Sequence, residues 1–429
     1  MNRSVGLDFG TTNSAVGVAT PEGGVKLARF PHRSGVSDTF RSILYFHPEL
    51  RDGQNKLAPL AGMRAIERYL EAADQGRLMQ SLKSYLADRT FDRTSVFNRP
   101  LSLVDLLALL VRDLRARAEE DLGPLGRRIV VGRPVHFSNA VTPEDDAFAV
   151  GRLRGAIEAA GFDEIVFEHE PVAAAYYYET RLDHDELCLI ADFGGGTSDF
   201  SVIQVGPSHR HRGAARILGT DGVGIAGDVL DSRVLYQIVA PALGLGSTYK
   251  SIFGQTMTVP VWIYDRLRRW HHLSFLKTIK NAELIEEIAD RSAEPEKIHA
   301  LWHIIDDDLG YHLYRAVERA KVELSSRDET RFHFEDGSLV IEAPVTRADF
   351  DAWIAADVAA MASCVDRVLA SSGVAASDVD RVFMTGGTSF VPAVRRIFDE
   401  RFGAAKIEAG GEMISVATGL AMRAAEAFG

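Results

Sequence analysis

Residues 187–205 read Leu-Cys-Leu-Ile-Ala-Asp-Phe-Gly-Gly-Gly-Thr-Ser-Asp-Phe-Ser-Val-Ile-Gln-Val, and this stretch decides the fold class. Two β runs flank a short polar turn that is rich in glycine, which predicts a hairpin whose first strand ends at Asp192. Successive N–H groups in such a turn form a concavity for anions, and glycine lets a phosphate approach the main chain. The stretch therefore predicts a phosphate-binding hairpin.

The same design occurs at the start of the chain. Residues 4–8 form a buried-strand run, residues 9–14 (Phe-Gly-Thr-Thr-Asn-Ser) form a polar turn, and residues 15–19 form a second β run. A carboxylate beside each turn, Asp8 or Asp192, would repel a phosphate unless a cation lies between them, and Mg²⁺ bridges such groups well. Two matching hairpins predict an α/β protein with two similar lobes that hold a Mg-polyphosphate from both sides.

A third motif lies near the end of the chain. Residues 381–384 form a strand run, Gly386-Gly387-Thr388-Ser389 follow it, and a helix begins with Pro392 in its first turn. Glycines between a strand and a helix let a ring or a phosphate lie against the main chain near a helix N-terminus. This signal is weak alone, because many α/β turns look similar.

Composition excludes several classes of function. The chain has 429 residues, about three domain-sized units, with 48 basic and 60 acidic residues and a net charge of −12. An acidic chain without a basic block is a poor partner for nucleic acid. Two cysteines cannot form a disulfide framework or a four-ligand zinc site. Without an apolar signal segment or an apolar run of ~18 residues, we expect a cytoplasmic protein that does not bind membranes.

Together the motifs resemble those of the seventy-kilodalton heat-shock chaperones, which are members of the actin-like ATPase superfamily. Residues 8–14 resemble the first phosphate motif of that family, residues 192–199 the second, and residues 386–392 the adenosine motif. Glu170-Pro171-Val172-Ala173-Ala174-Ala175 resembles the first connecting helix, and residues 415–421 are a looser match to the second.

The resemblance extends to an adenine-side helix and implies a fold. Glu318-Arg319-Ala320-Lys321, with Leu324-Ser325-Ser326 after it, is similar to that helix. The implied fold is the actin-like ATPase fold, with ribonuclease H-like duplicated lobes around a central nucleotide cleft. The first lobe would span residues 1–184, with the connecting helix near 170–180. The second would span 185–429, with a helical subdomain at about 228–330.

The resemblance also implies roles for individual residues. Lys83, Glu170 and Thr197 would be catalytic, with Lys83 and Thr197 at the γ-phosphate and Glu170 near the attacking water. Asp8 and Asp192 would hold Mg²⁺ through water, and Asp199 would position water or a monovalent ion such as K⁺. The residues implied to bind ATP or ADP are Gly10, Thr11, Thr12, Asn13, Gly194, Gly195, Gly196, Thr197, Glu318, Lys321, Ser325, Gly386, Gly387, Thr388 and Phe390.

Simpler interpretations stay open for several of these residues. Lys83 could be a solvated helix lysine, and Glu170 could complement a helix dipole. The glycines of residues 219–224 could close over the phosphates or form a plain loop.

The chain also departs from the family pattern. Phe390 stands where the family usually has an arginine that packs on adenine, and Val322 stands where the adenine-side helix usually carries a second base. An aromatic ring can still stack on a purine, so the departures put the base preference in question. The chain stops at Gly429, where the family continues into a peptide-binding domain and a lid. We therefore expect any client proteins or co-chaperones to act in trans.

The expected function is slow, Mg-dependent ATP hydrolysis by a chaperone-like protein without its own peptide-binding domain. A sugar-type kinase of the same superfamily is one alternative. Others are an actin-type filament former and a nucleotide-responsive scaffold that scarcely hydrolyses ATP. Two distant cysteines are too few ligands for an iron–sulfur ATPase activator.

Overall fold

The computed structural model describes residues 3–33, 35–53, 55–71, 76–209, 216–267, 273, 276–307, 309–409 and 414–429. Contacts divide the chain into two compact units, a larger one of Met1–Gly227 with Val358–Gly429 and a smaller one of Asp228–Asp357. None of the helices in these ranges has the length and apolar character needed to span a bilayer.

The strands are numbered along the chain. They are β1 (Val5–Phe9), β2 (Asn13–Ala19), β3 (Val25–Leu27), β4 (Phe30–His32), β5 (Gly35–Ser37), β6 (Phe40–Arg41), β7 (Ile43–Phe46), β8 (Leu60–Ala61), β9 (Arg77–Gln80), β10 (Arg93–Val96), β11 (Arg99–Ser102), β12 (Arg128–Arg133), β13 (Glu164–His169), β14 (Glu186–Phe193), β15 (Ser198–Val205), β16 (Ile217–Val223), β17 (Thr248–Lys250), β18 (Thr256–Thr258), β19 (Glu329–Asp336), β20 (Leu339–Thr346), β21 (Arg381–Thr385) and β22 (Ile407–Ala409).

The helices are numbered in the same way. They are α1 (Met63–Glu71), α2 (Leu103–Leu122), α3 (Pro143–Ala159), α4 (Glu170–Glu179), α5 (Gly227–Val234), α6 (Ala240–Ala242), α7 (Val261–Leu267), α8 (Ile279–Asp290), α9 (Pro295–Asp306), α10 (Gly310–Ser326), α11 (Arg347–Ser372), α12 (Pro392–Phe402) and α13 (Ser415–Phe428).

Two sheets of the larger unit share one pattern of strand directions. The first has the order β13-β12-β1-β2-β3, and the second has the order β16-β15-β14-β21-β22. In the first, β1 is parallel to β12 and antiparallel to β2. In the second, β14 is parallel to β21 and antiparallel to β15. The two predicted hairpins are therefore confirmed as β1–β2 and β14–β15, and each has the same place in its sheet.

Helices α4 and α13 pack against strands of both sheets. One buried cluster combines residues of α4 and α13 with Val130 of β12 and Ile190 of β14. The two helices approach so closely that a β-carbon at Gly419 would lie 1.7 Å from the Ala173 carbonyl oxygen. Gly6 in β1 similarly makes room for the α13 backbone, since its β-carbon would lie 2.2 Å from Ala421 N. Small residues at these positions therefore set the helix spacing.

Helix starts follow the sequence signals. Thr142 caps α3 through a reciprocal capping box with Asp145. Proline lies in the first turn of α3, α4, α9 and α12, where its missing N–H costs no hydrogen bond. Pro295 begins α9, and α8 ends before it at Asp290.

The loop interpretation of residues 219–224 is wrong for most of the segment. Residues 217–223 form β16, which pairs with β15 so that Gly222 faces Asp199. The glycines mark close approaches: a β-carbon at Gly222 would lie 2.5 Å from Asp199 Oδ1, and one at Gly219 would lie 2.9 Å from Ser372 Cβ. Glycine within a strand often marks a place where another group approaches closely. In the sequence alone, such a run of glycines resembles a loop.

The smaller unit is mainly helical. It holds nearly all of α5, a π-helical segment at Leu235–Val239, α6 to α10, the hairpins β17–β18 and β19–β20, and the start of α11. Its bounds overlap the helical subdomain expected at about 228–330. The division into lobes at residues 184 and 185 stays a prediction.

Candidate functional site

Two acidic residues lie at equivalent ends of the two hairpins. Asp8 in β1 faces Ala15 of β2, whereas Asp192 in β14 faces Asp199 of β15 directly across the antiparallel pair. Like charges in opposed positions of a sheet destabilise it. The second hairpin therefore carries a local repulsion that a cation could relieve.

A buried ion pair adds a lysine and a fourth carboxylate. Lys83 lies on a 3₁₀ turn, Leu82–Tyr85, and Glu170 is the first residue of α4. Lys83 Nζ lies 2.6 Å from Glu170 Oε1, and each side chain is 8% exposed. Lys83 is therefore not the solvated helix lysine of the simpler interpretation. Glu170 does begin a helix, as its simpler interpretation requires, but its carboxylate is bound to Lys83.

One electrostatic cluster is formed by Asp8, Lys83, Glu170, Asp192 and Asp199. Burial, together with the charge of Glu170, raises the pKa of Asp8 from 3.8 to about 7, although Lys83 acts in the opposite direction. The pKa of Asp192 is raised well above 3.8 by burial and by the charges of Glu170, Asp8 and Asp199. Burial lowers the pKa of Lys83, but the attraction of Glu170, Asp8 and Asp199 outweighs it, so the net shift is upward. Four carboxylates thus share one ammonium.

Asp199 is held by main chain from the other sheet. The Val135 N–H, just beyond β12, donates to Asp199 Oδ1 at 2.7 Å. Asp199 Oδ2 is buried without a partner of normal hydrogen-bond geometry, although the nearby Thr197 hydroxyl lowers the pKa of the carboxyl. Burial and the charge of Glu170 outweigh these contacts and raise that pKa from 3.8 to about 7. The free oxygen is a candidate ligand atom.

The turns of the two hairpins come close together. A β-carbon at Gly196 would lie 3.3 Å from the Thr11 hydroxyl and 2.9 Å from that of Ser138. Gly10 is required by its own turn, because a β-carbon there would lie 2.1 Å from the Asn13 carbonyl oxygen. The Gly194 N–H donates to the Thr197 carbonyl at 2.9 Å, with Gly195 between them. These are the narrow glycine turns that a phosphate site needs.

Two groups of the first turn, one of the main chain and one side chain, already have partners in the protein. The Thr12 carbonyl accepts from the Ser42 N–H at 2.9 Å. The Asn13 side-chain oxygen accepts from Arg41 Nη1 at 3.1 Å. Thr11 is buried. The side chain of Asn13 therefore fixes the turn, which leaves contact with a ligand to the other groups.

The two glycines of the third motif differ in environment. Gly386 has a φ of +87°, and a β-carbon there would lie 1.9 Å from the Phe193 carbonyl oxygen. A β-carbon at Gly387 would meet nothing within 4 Å. Thr388 is buried, and Phe390 is 50% exposed. Gly386 is thus required by the fold, whereas Gly387 and Phe390 offer open space and an exposed ring.

The residues expected on the adenine-side helix lie in α10 of the smaller unit. Lys321 Nζ forms a 2.8 Å ion pair with the buried Asp231. Glu318 accepts from Arg315 Nη1 at 2.6 Å, and the Ser325 hydroxyl donates to the Lys321 carbonyl at 3.1 Å. Val322 is exposed. Asp231, which the sequence did not single out, thus holds Lys321 in place.

The cluster fits a cation that brings some of its own ligands. Within the ranges described above, no three acidic, histidine or cysteine side chains are arranged to hold a metal by themselves. Mg²⁺ usually keeps several waters and takes one or two carboxylates together with phosphate oxygens. The excess of carboxylates and the free Asp199 oxygen suit that type of binding.

Two groups at this site lay beyond the sequence analysis. The Val135 amide holds Asp199, and the Ser138 hydroxyl donates to the Gly196 carbonyl at 3.4 Å. The sequence position of these residues could have indicated their place at the site, since both follow directly after β12. In parallel sheets the loops at the carboxyl ends of neighbouring strands form the binding edge.

The chain matches known chaperones over most of its length. A family model described as Hsp70 protein matches residues 283–428. Chaperone protein DnaK of Thermosipho melanesiensis is 25% identical over 429 residues, and the match covers 98% of this chain. Chaperone protein DnaK of Thermosipho africanus is 24% identical over a match of the same extent. The chain is thus similar to members of the Hsp70 family. The resemblance seen in the sequence motifs is thereby confirmed.

The relatives are longer than this chain. The match covers 59% of the first DnaK and 58% of the second. Similarity to the Hsp70 family indicates an actin-like ATPase fold, and the mixed α/β sheets agree with it. The curated relatives are chaperones by name, which guides the proposal that follows.

Proposed function

We propose that this chain is a cytoplasmic, chaperone-type ATPase of the Hsp70 family that binds ATP or ADP with Mg²⁺ and hydrolyses ATP slowly. The observation that carries the proposal is the cluster of Asp8, Glu170, Asp192 and Asp199 around one buried lysine, at the turns of two equivalent hairpins. Such a cluster is unfavourable without a cation, and the adjacent glycine turns suit phosphate. A Mg-nucleotide supplies both.

Each acidic residue has a proposed role. Asp8 and Asp192 would hold Mg²⁺ through water, and the ion would neutralise charge on the phosphates. The carboxylate of Glu170, fixed by Lys83, would orient the attacking water or accept its proton. Asp199, with its free Oδ2, would bind water or a monovalent cation such as K⁺.

The groups expected at the γ-phosphate are the Lys83 ammonium and the Thr197 hydroxyl. A fixed ammonium stabilises the charge on the transferring phosphoryl group. Residues 10–13 and 194–196 would contribute their turns to the other phosphates. For the adenosine we propose Gly386, Gly387, Thr388 and Phe390. The resemblance of α10 to the adenine-side helix also makes Glu318, Lys321 and Ser325 candidate nucleotide-binding residues.

The test combines nucleotide binding with product release. Binding of ATP and ADP is measured by calorimetry with Mg²⁺ and with a chelator, and phosphate and ADP release are followed at steady state. We expect Mg-dependent binding by the wild-type chain. Glu170→Gln should retain binding while hydrolysis falls by roughly a hundredfold or more, and Lys83→Ala should also lose hydrolysis. Unchanged hydrolysis in both variants would remove the catalytic assignment.

Further additions separate the alternative functions. ADP release that requires a sugar or polyol would favour a kinase. Tight binding without turnover would favour a nucleotide-responsive scaffold. Stimulation by unfolded polypeptide would support clients or co-chaperones that act in trans.

A further inference from the structure

Arg152 on α3 donates hydrogen bonds to several main-chain carbonyls in the segment that follows Lys83. Arg152 Nη1 donates to the carbonyls of Tyr85 at 3.2 Å, Leu86 at 3.4 Å and Asp88 at 2.9 Å. Its Nη2 donates to the Phe91 carbonyl at 2.9 Å. The side chain is only 9% exposed. The end of a helical turn leaves carbonyls without partners, and a guanidinium with five donors can satisfy several of them.

The turn that carries Lys83 is also strained at its start. Ser81 has φ 58° and ψ 29°, a left-handed conformation, and it is buried. A residue other than glycine in this region costs about 1–3 kcal/mol and persists only where its surroundings hold it. The Ser84 N–H and hydroxyl both donate to the Ser81 carbonyl, at 3.1 Å and 2.6 Å. Ser84 thus closes the start of the turn from within, whereas Arg152 binds the carbonyl of its last residue, Tyr85, from outside.

Helix α3 supplies a second attachment to the same segment. Two guanidinium groups lie over the Phe148 ring, that of Arg89 at 4.6 Å from the ring centroid and that of Arg152 at 4.4 Å. Arg89 Nε also donates to Asp145 Oδ1 at 3.0 Å. Residues 81–91 are therefore attached to α3 in two places, through Arg152 of the helix and through Arg89 of the segment itself.

We infer that Arg152 is a positioning residue for Lys83. Because Arg152 binds four carbonyls of residues 85–91, it keeps the strained turn in place and holds the Lys83 ammonium against Glu170. Arg152 does not touch the acidic cluster, so it acts through Lys83. The consequence for hydrolysis rests on the proposed function, whereas the positioning itself can be measured without it.

The first experiment measures the position of Lys83 directly. The native protein is treated with an amine-reactive reagent, and the labelling rate of Lys83 is quantified by mass spectrometry. We expect Arg152→Ala to raise that rate severalfold, because the buried ion pair opens more often. Arg154→Ala is the matched control: it also lies on α3, and its guanidinium donates to the Ile165 carbonyl at 3.4 Å. Equal labelling in wild type and Arg152→Ala would overturn the inference.

The second experiment separates positioning from general stability. Arg152→Ala should lower kcat by roughly tenfold to a hundredfold with little change in KM. In a Lys83→Ala background the same substitution should have no further effect on kcat. An equal loss in both backgrounds would mean that Arg152 does not act through Lys83.

The inference remains testable if Arg152→Ala does not fold or if the wild-type chain does not hydrolyse ATP. If Arg152→Ala does not fold, Arg152→Lys replaces it, since lysine keeps the charge but cannot reach four carbonyls from one planar group. Faster Lys83 labelling in that variant supports the inference, and unchanged labelling opposes it. If the wild-type chain shows no ATP turnover, the proposed function fails, and the labelling result alone decides the role of Arg152.

Discussion

The Lys83 ammonium lies 2.6 Å from the Glu170 carboxylate, and both side chains are buried. Removing two charges from water is expensive, so such a pair adds little net stability. Loss of one partner is much worse, because it leaves a buried charge without compensation. The pair joins a turn near residue 83 to the first residue of α4, which places both groups in the acidic cluster.

The first prediction concerns the stability of this pair. Lys83→Ala should lower the free energy of unfolding by about 3–5 kcal/mol, because Glu170 is left buried and unpaired. The double variant Lys83→Ala, Glu170→Ala should lose less than the sum of the two single losses. Urea unfolding of all four proteins measures the coupling. The exposed pair Arg127–Asp163 is the control, and Arg127→Ala should change stability very little. Additive losses would contradict a direct interaction.

The second prediction is a pH dependence. Because the pKa values of Asp8 and Asp199 are raised to about 7, the native state binds more protons than the unfolded state between about pH 4 and 7. The free energy of unfolding should therefore fall as the pH rises through this interval in the absence of Mg²⁺ and nucleotide. Asp199→Asn should stabilise the protein at about pH 8 by at least about 1 kcal/mol, since one pKa unit corresponds to about 1.4 kcal/mol.

The same measurement at about pH 4 provides the comparison, because Asp199 is then protonated in the native state and the gain should vanish. Asp183→Asn is the control variant: the hydrogen bond from His184 lowers the pKa of Asp183, so no gain is expected at high pH. A uniform gain at both pH values would show that titration of Asp199 is not its cause.

The third prediction separates two adjacent glycines. Gly386→Ala should destabilise the chain by more than about 1 kcal/mol, because the residue has a positive φ and its β-carbon would meet the Phe193 carbonyl. Gly387→Ala should leave the melting temperature nearly unchanged, since its β-carbon meets nothing. The Gly387 variant should nevertheless weaken nucleotide binding. Unchanged affinity in that variant would exclude Gly387 from the nucleotide site.

The fourth prediction concerns the exposed ring of Phe390. Stacking of a base on an aromatic side chain contributes about 1–3 kcal/mol. Phe390→Ala should therefore weaken ATP binding by roughly tenfold or more, with little change in stability because the ring is half exposed. Leu70→Ala, at an apolar side chain that is also half exposed, is the control. Equal affinity for ATP in wild type and Phe390→Ala would contradict stacking of the base on Phe390.

Local sequence determined the elements and their order. The hairpins at residues 5–19 and 186–205 were predictable because apolar runs, glycine turns and terminal acids are signals that a few neighbouring residues carry. The starts of α3, α4, α9 and α12 were predictable for the same reason, since a proline fixes φ at one position. The paired motifs also indicated the family before any fold was known.

Only the tertiary structure decided which distant groups share a charge environment. The ion pair of Lys83 and Glu170 joins residues 87 positions apart, and the opposition of Asp192 to Asp199 depends on strand register. The hold of Arg152 on segment 81–91 and the strand formed by residues 217–223 were also invisible in the sequence. Burial, register and side-chain contacts depend on the whole packed chain, because the dielectric around a carboxylate is set by neighbours that its own segment does not encode.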